Sequence, residues 1–288
     1  MQTNELKILG YTVTDTGIRK VKILKHLKIQ NVLCVAVTTL LGLIPSVVLS
    51  ENNIVSVIGE NLMFDQTEVT IGAFENFVRA TGTVTQAERD GGGLVYAGGW
   101  EQKAGWTWLT PYGQAAHPDE PAVHVTFDEA AQYCKWAGKR LPTEEEWIIA
   151  AYNEQRPKPP PPFTRGQTYQ YPTGDTPEGA NCLGDCGDTP AINYSSKLSR
   201  GTGHARAGTT SAGVNGLYDM GANVWEWVDI PDKLNKGTRG GSWWYGARQM
   251  KADYRATKPR DIAVVYIGFR CVNGSKVDVS AYKKVVSN

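Results

Sequence analysis

Five cysteines are the residues best equipped for chemistry: Cys34, Cys134, Cys182, Cys186 and Cys271. Thiolates pair, attack electrophiles and ligate soft metals. Cys182 and Cys186 lie close together in ANCLGDCGD, suiting a local disulfide or two corners of a metal site, yet no second Cys or His pair stands at zinc spacing. The four cysteines after residue 50 admit three pairings, and spacing alone does not choose among them. Four histidines, His26, His117, His124 and His204, are scattered and form no ligand run. Ser242 has the side chain of a nucleophile, but no strand-turn-helix elbow surrounds it and no histidine is placed to activate it; a structural hydroxyl in a tight turn is expected. Glu144, Glu145 and Glu146 are neighbours on one turn and point in different directions, so they favour a helix N-terminus rather than a catalytic pair. Gly91 to Gly93 lacks the Lys-Ser/Thr of a phosphate loop.

The elements that must position these groups are partly readable. Phe64 to Thr70 alternates as a strand, and Thr70 caps a helix with Ile71, Phe74, Phe77 and Val78 on one face, stopped by Gly82. Gly91 to Gly105 reads as an irregular excursion tied down by Trp100, Trp106 and Trp108. Pro121 to Phe127 reads as a strand leading into a capping box, Thr126 with Glu129, whose helix buries Ala130, Cys134 and Ala137 before Gly138. A second capping box, Thr143 with Glu146, starts LPTEEEWIIAA. Pro157 to Pro162 is an extended loop. From Ile54 onward the pattern suits one domain of short helices, small sheets and long loops.

Composition narrows the function classes. The 288 residues are 41% hydrophobic and 20% charged, an ordinary globular balance that excludes a disordered chain or a multi-span membrane protein. Net charge is +1, so no whole-chain basic field exists to bind nucleic acid. Charge is uneven, however. Six Lys/Arg stand against two acids before residue 51, followed within that segment by an uncharged run from Ile29 to Ser50. Residues 1–50 therefore read as a basic flank plus a signal peptide or anchor, which would export residues 51–288 to the cell surface or periplasm. Membrane association is expected only through that segment, and a monomer is expected.

In series, PAVHVTFDEAAQYCKWAGKRLPTEEEW, GLYDMGANVWEW, RGGSW and GFRCV resemble the formylglycine-generating enzyme and sulfatase-modifying-factor family, a variant of the C-type lectin fold. The resemblance runs from Phe64 to Val272 and implies an α+β fold, short helices packed on small antiparallel sheets with long loops. It implies a Cys134–Cys271 disulfide, core roles for Trp225, Trp227 and Trp243, and calcium at Asn223 and Glu226; hydrogen bonding of Glu226 to loop amides is the alternative. No cofactor is expected to be required beyond that structural calcium.

Enzymes of this family hold copper with two cysteine thiolates, at positions occupied here by Tyr245 and Met250. The related iron-dependent sulfoxide synthases need a histidine set and a helical domain that this chain lacks. These absences favour a non-catalytic protein similar to the variable proteins of diversity-generating retroelements, which bind ligands between GGSW and GFR. By that resemblance the ligand-binding region is 239–270, displaying Trp244, Tyr245, Gly246, Arg248, Asp253, Tyr254, Asp261, Val264 and Tyr266 on a scaffold of Arg239, Gly240, Gly241, Trp243, Gly268, Phe269 and Arg270. Aromatic rings and Arg are common binding hot spots. The expected partner is a protein or cell-surface ligand of unknown identity. A divergent family enzyme or accessory factor is the alternative, and a structural envelope component a third class.

Overall fold

The computed structural model describes residues 6–8, 11–14, 17–20, 54–58 and 62–282. The chain forms two compact units, Met1–Val48 and Leu49–Asn288. The first carries β1 (Leu6–Ile8), β2 (Tyr11–Thr14) and β3 (Gly17–Lys20), an antiparallel sheet in that order. The Ile29 to Ser50 run lies outside the described residues, among which no helix is long and apolar enough to cross a membrane.

The second unit opens with the hairpin β4 (Ile54–Ile58) and β5 (Leu62–Asp65). Thr70 then caps α1 (Ile71–Thr81), accepting a hydrogen bond from the Ala73 amide, and Gly82 ends it in the left-handed region. Its apolar residues recur on one face; Ile71, Phe74 and Phe77 are buried. A short α2 (Gln86–Arg89) follows. Gly91 to Gly105, expected to be irregular, instead holds the hairpin of β6 (Leu94–Tyr96) and β7 (Trp100–Gln102). Trp106 and Trp108 anchor it in the core, whereas Trp100 is 47% exposed.

Pro121 to Phe127 is not a strand. His124 takes φ 55°, which breaks an extended run, and the segment is fixed by single backbone bonds from Ala122 N to Val69 O and from His124 N to Val264 O. Both capping boxes form, starting α3 (Phe127–Trp136) and α4 (Glu144–Tyr152). The face of α3 meets α1 through rings: Tyr133 stacks on Phe74 at 5.7 Å, and both pack edgewise on Phe269. α4 is buried on all sides, so its first-turn acids need cations. Arg140 makes two 2.7 Å hydrogen bonds to Glu146, and Arg255 makes one of 2.7 Å to Glu144.

The chain then forms β8 (Trp225–Val228), β9 (Asn235–Arg239), β10 (Ala256–Pro259) and β11 (Ile267–Gly268), a sheet ordered β10-β9-β8-β11 whose last pair is parallel. Finally β12 (Val272–Asn273) pairs with β5, so the end of the domain closes against its beginning. Cys134 of α3 bonds to Cys271, and Cys182 to Cys186. Small helices on small sheets are the expected α+β architecture.

Candidate functional site

Between β9 and β11 the chain builds an aromatic face. Its first turn is possible only with glycine at 240, where φ is 94° and a Cβ would stand 2.6 Å from the Met220 carbonyl oxygen. The turn drives Trp243 into the core, its amide donating to Asn223 O, while Ser242 is buried and its hydroxyl oxygen accepts the Trp244 amide at 3.3 Å. Trp225 of β8 forms the floor, 5.7 Å from the Tyr245 ring and 5.9 Å from that of Tyr254. The Tyr266 ring stands edge-on to that of Tyr245, with centroids 6.0 Å apart. Burial pushes the Tyr245 phenol above its ordinary pKa, with the neighbouring Tyr266 hydroxyl pulling the other way. Two cations edge the face. The Arg200 guanidinium lies 5.3 Å over Trp244 and 6.0 Å over Tyr245; Arg248 lies 5.4 Å over Tyr254 and pairs with Asp253.

Not every residue expected on this surface reaches it. Tyr245, Gly246 and Tyr254 are partly exposed, and Arg248, Asp253 and Asp261 are exposed. Trp244, Val264 and Tyr266 are 3%, 0% and 1% exposed and belong to the core. The reason is the β6–β7 hairpin: Leu94 N donates to Ala263 O and Val265 N to Leu94 O, covering the 263–265 segment with remote chain. Asp261 lies apart, lining a groove of about 380 Å³ with Gln86, Asp90 and Gln102. Arg200 reaches this face from an irregular segment whose sequence carries no sign of it, and the exposed edge-on pair Tyr96–Trp100 stands on the β6–β7 hairpin, in a segment expected to be irregular.

The expected calcium residues sit beneath, in a buried charge layer. Glu226 accepts from Arg270 at 2.6, 2.8 and 3.0 Å and from Trp147 Nε1 at 2.8 Å. Asn223 donates to Glu68 and accepts from Asn181 and the Ala205 amide. Both side chains are thus fully engaged by protein groups. Burial raises Glu68 well above the usual carboxylate range, with Asp219 and Glu226 adding to it. Among the described residues no three His, Cys, Asp or Glu side chains converge as a metal site.

The family's copper does not fit its usual positions. Position 245 presents a phenol, and Met250 is fully buried with its sulfur 3.7 Å from Cys186 Sγ. Two thiolates are what such a site needs, and neither residue supplies one.

Residues 52–275 match the family model described as a sulfatase-modifying factor enzyme 1-like domain. The chain belongs to this family. It is similar to the formylglycine-generating enzymes of Streptomyces coelicolor, 30% identical over 73% of this chain and 77% of that protein, and Thermomonospora curvata, 31% over 68% and 62%. Among solved structures it resembles PvdO from Pseudomonas aeruginosa (TM-score 0.51, 20% identity, 74% of this chain and 80% of that one) and Treponema denticola variable protein 1 (TM-score 0.49, 16% identity, 74% and 84%). The likeness to PvdO concerns fold alone. The expectation of a non-catalytic protein is overturned by these relatives, which carry the name of an enzyme. It leaned on two absent cysteines, and the loss of one metal-ligand pair removes one mechanism, not catalysis as such. The two disulfides fit a family member that folds in an oxidising, extracytoplasmic compartment.

Proposed function

We propose that this chain is a divergent enzyme of the sulfatase-modifying-factor family that holds a cysteine-bearing polypeptide on the face around Tyr245. One observation carries the reading: at the family's first metal-ligand position stands a ring that is half-buried, braced by Tyr266 and Trp225, and flanked by the exposed Arg200. Rigid rings give contact area at little entropic cost, and arginine adds directional hydrogen bonds to peptide carbonyls. The reaction does not run through a metal held by residues 245 and 250. The test is mass spectrometry of a pool of cysteine peptides incubated with the full domain. A mass change at cysteine supports the assignment, and an unaltered pool under both oxidising and reducing conditions contradicts it.

The leader reading supplies the address: residues 1–50 direct the domain to the surface or periplasm, to be checked by cell fractionation and N-terminal sequencing of the mature chain. The exposure of Arg248, Asp253 and Asp261 favours a second feature, diversification of the same ligand face, since these side chains can change without disturbing the core. A reverse-transcriptase gene beside a near-copy of the coding segment for residues 239–270 would support it; its absence would oppose it.

A further inference from the structure

Tyr112, His204 and Glu120 form a buried chain of titratable groups that substrate docking does not use. Gly203, at φ 119°, lets the backbone reach it: a Cβ there would stand 2.9 Å from the Tyr194 ring and 3.2 Å from the Tyr112 hydroxyl. The His204 amide donates to the Tyr112 oxygen at 3.1 Å, and that oxygen lies 3.0 Å from His204 Nδ1. The phenol thus accepts from the amide and gives its own proton to Nδ1. The other ring nitrogen agrees, since Nε2 stands 2.7 Å from Glu120 Oε2, where an N–H is required. His117 N at 2.6 Å and the Tyr194 hydroxyl at 2.9 Å also donate to the Glu120 carboxylate. Burial pushes the Tyr112 phenol well above its ordinary range and holds His204 below its own. Burial also opposes charge on Glu120, but the hydrogen bond from His204 helps outweigh it and the carboxyl sits below its ordinary range. At rest the chain is a neutral phenol, a neutral imidazole with Nδ1 open to a proton, and a carboxylate.

Rings lead from this chain to the aromatic face. Centroids lie 6.2 Å apart from Tyr112 to Trp243, 5.3 Å from Trp243 to Trp244, 5.8 Å from Trp244 to Tyr266 and 6.0 Å from Tyr266 to the partly exposed Tyr245. Rings this close exchange electrons in short steps. Trp243 Nε1 has no hydrogen-bond partner, so an oxidised indole there finds no base for its proton, whereas the Tyr112 phenol has one in place. We propose that Tyr112 is a redox-active tyrosine that gives one electron to an oxidant at the Tyr245 face, through Trp243 and Trp244, while its phenolic proton passes to His204. The step balances: a one-electron oxidant touching the face gains the electron, the Tyr112 O–H bond breaks to leave a neutral phenoxyl radical, and the proton makes His204 an imidazolium facing the Glu120 carboxylate. A one-electron donor at the same face reverses it. The site goes beyond substrate docking, because the radical is read with no peptide present.

The test is flash-quench oxidation of the full chain by a tris(bipyridine)ruthenium complex, followed by transient absorption and freeze-quench electron paramagnetic resonance. The native chain should give a tyrosyl signal that forms more slowly in heavy water, because the proton moves with the electron; this readout needs no variant to fold. Tyr112→Phe keeps the ring and its packing and should lose that signal. Trp244→Phe keeps a ring that is far harder to oxidise and should lower the tyrosyl yield, with circular dichroism confirming that both variants fold. A native chain that gives only a tryptophanyl signal or none, equal rates in light and heavy water, a tyrosyl signal retained in folded Tyr112→Phe, or an unchanged yield in folded Trp244→Phe would each overturn the proposal.

Discussion

Single buried residues set the sensitivity of this protein to pH. His124 is held at φ 55° with Nε2 3.0 Å from the Pro111 carbonyl, and Nδ1 has no hydrogen-bond partner. Burial depresses its pKa from 6.5 to about 4. The folded state therefore favours the neutral ring, and this contribution is complete above pH 6.5 and lost as pH falls toward 4. About 3 kcal/mol is at stake over that window. Urea denaturation should show the midpoint falling across it, with a shallower fall in His124→Asn, because asparagine tolerates the left-handed backbone and does not titrate. Glu226→Ala should cost about 3–5 kcal/mol by leaving Arg270 buried without its main counter-charge; an unchanged denaturation midpoint would refute that. The roles of His124 and Glu226 were not separable in the sequence. A histidine in an apolar run and a glutamate in VWEW look alike whether they meet a metal, a cation or a carbonyl, since the deciding partners, Arg270 and Pro111, lie 44 and 13 positions away.

At the level of elements, what was legible followed from local chemistry. Both capping boxes and the Thr70 cap form as their residue types require, and Thr126→Ala should cost about 1 kcal/mol in thermal or urea melts. Gly240→Ala should cost about 1–3 kcal/mol or more, since it combines a left-handed φ with a contact on fixed backbone. Elements defined by remote packing were misread. Pro121 to Phe127 has strand composition but no ladder partner over its length, and the 263–266 segment reads as display surface until the β6–β7 hairpin covers it. Alternation and ring content report that a segment contacts something; they do not report whether the contact is core or ligand.

At the largest scale, closure of the second unit's β12 on its β5 is the organising feature of that unit. The Cys134–Cys271 disulfide spans 137 positions and by loop closure stabilises by about 5 kcal/mol, whereas the five-residue Cys182–Cys186 loop is worth about 2 kcal/mol. Cys134→Ala/Cys271→Ala should therefore lower the denaturation midpoint far more than Cys182→Ser/Cys186→Ser. The family, the fold and the long disulfide were readable from four motifs in order, because these motifs encode the scaffold. The proposed catalysis was not readable, because positions 245 and 250 report only one way of holding a metal. The most direct measurement of the central claim is steady-state modification of a cysteine peptide by the native domain and by Tyr245→Ala, with Arg165→Ala as a distant surface control. Docking on the aromatic face predicts a KM raised about tenfold in Tyr245→Ala, the loss of a hot-spot ring, and no change in the control. An unchanged KM in Tyr245→Ala would place the substrate elsewhere and contradict the account.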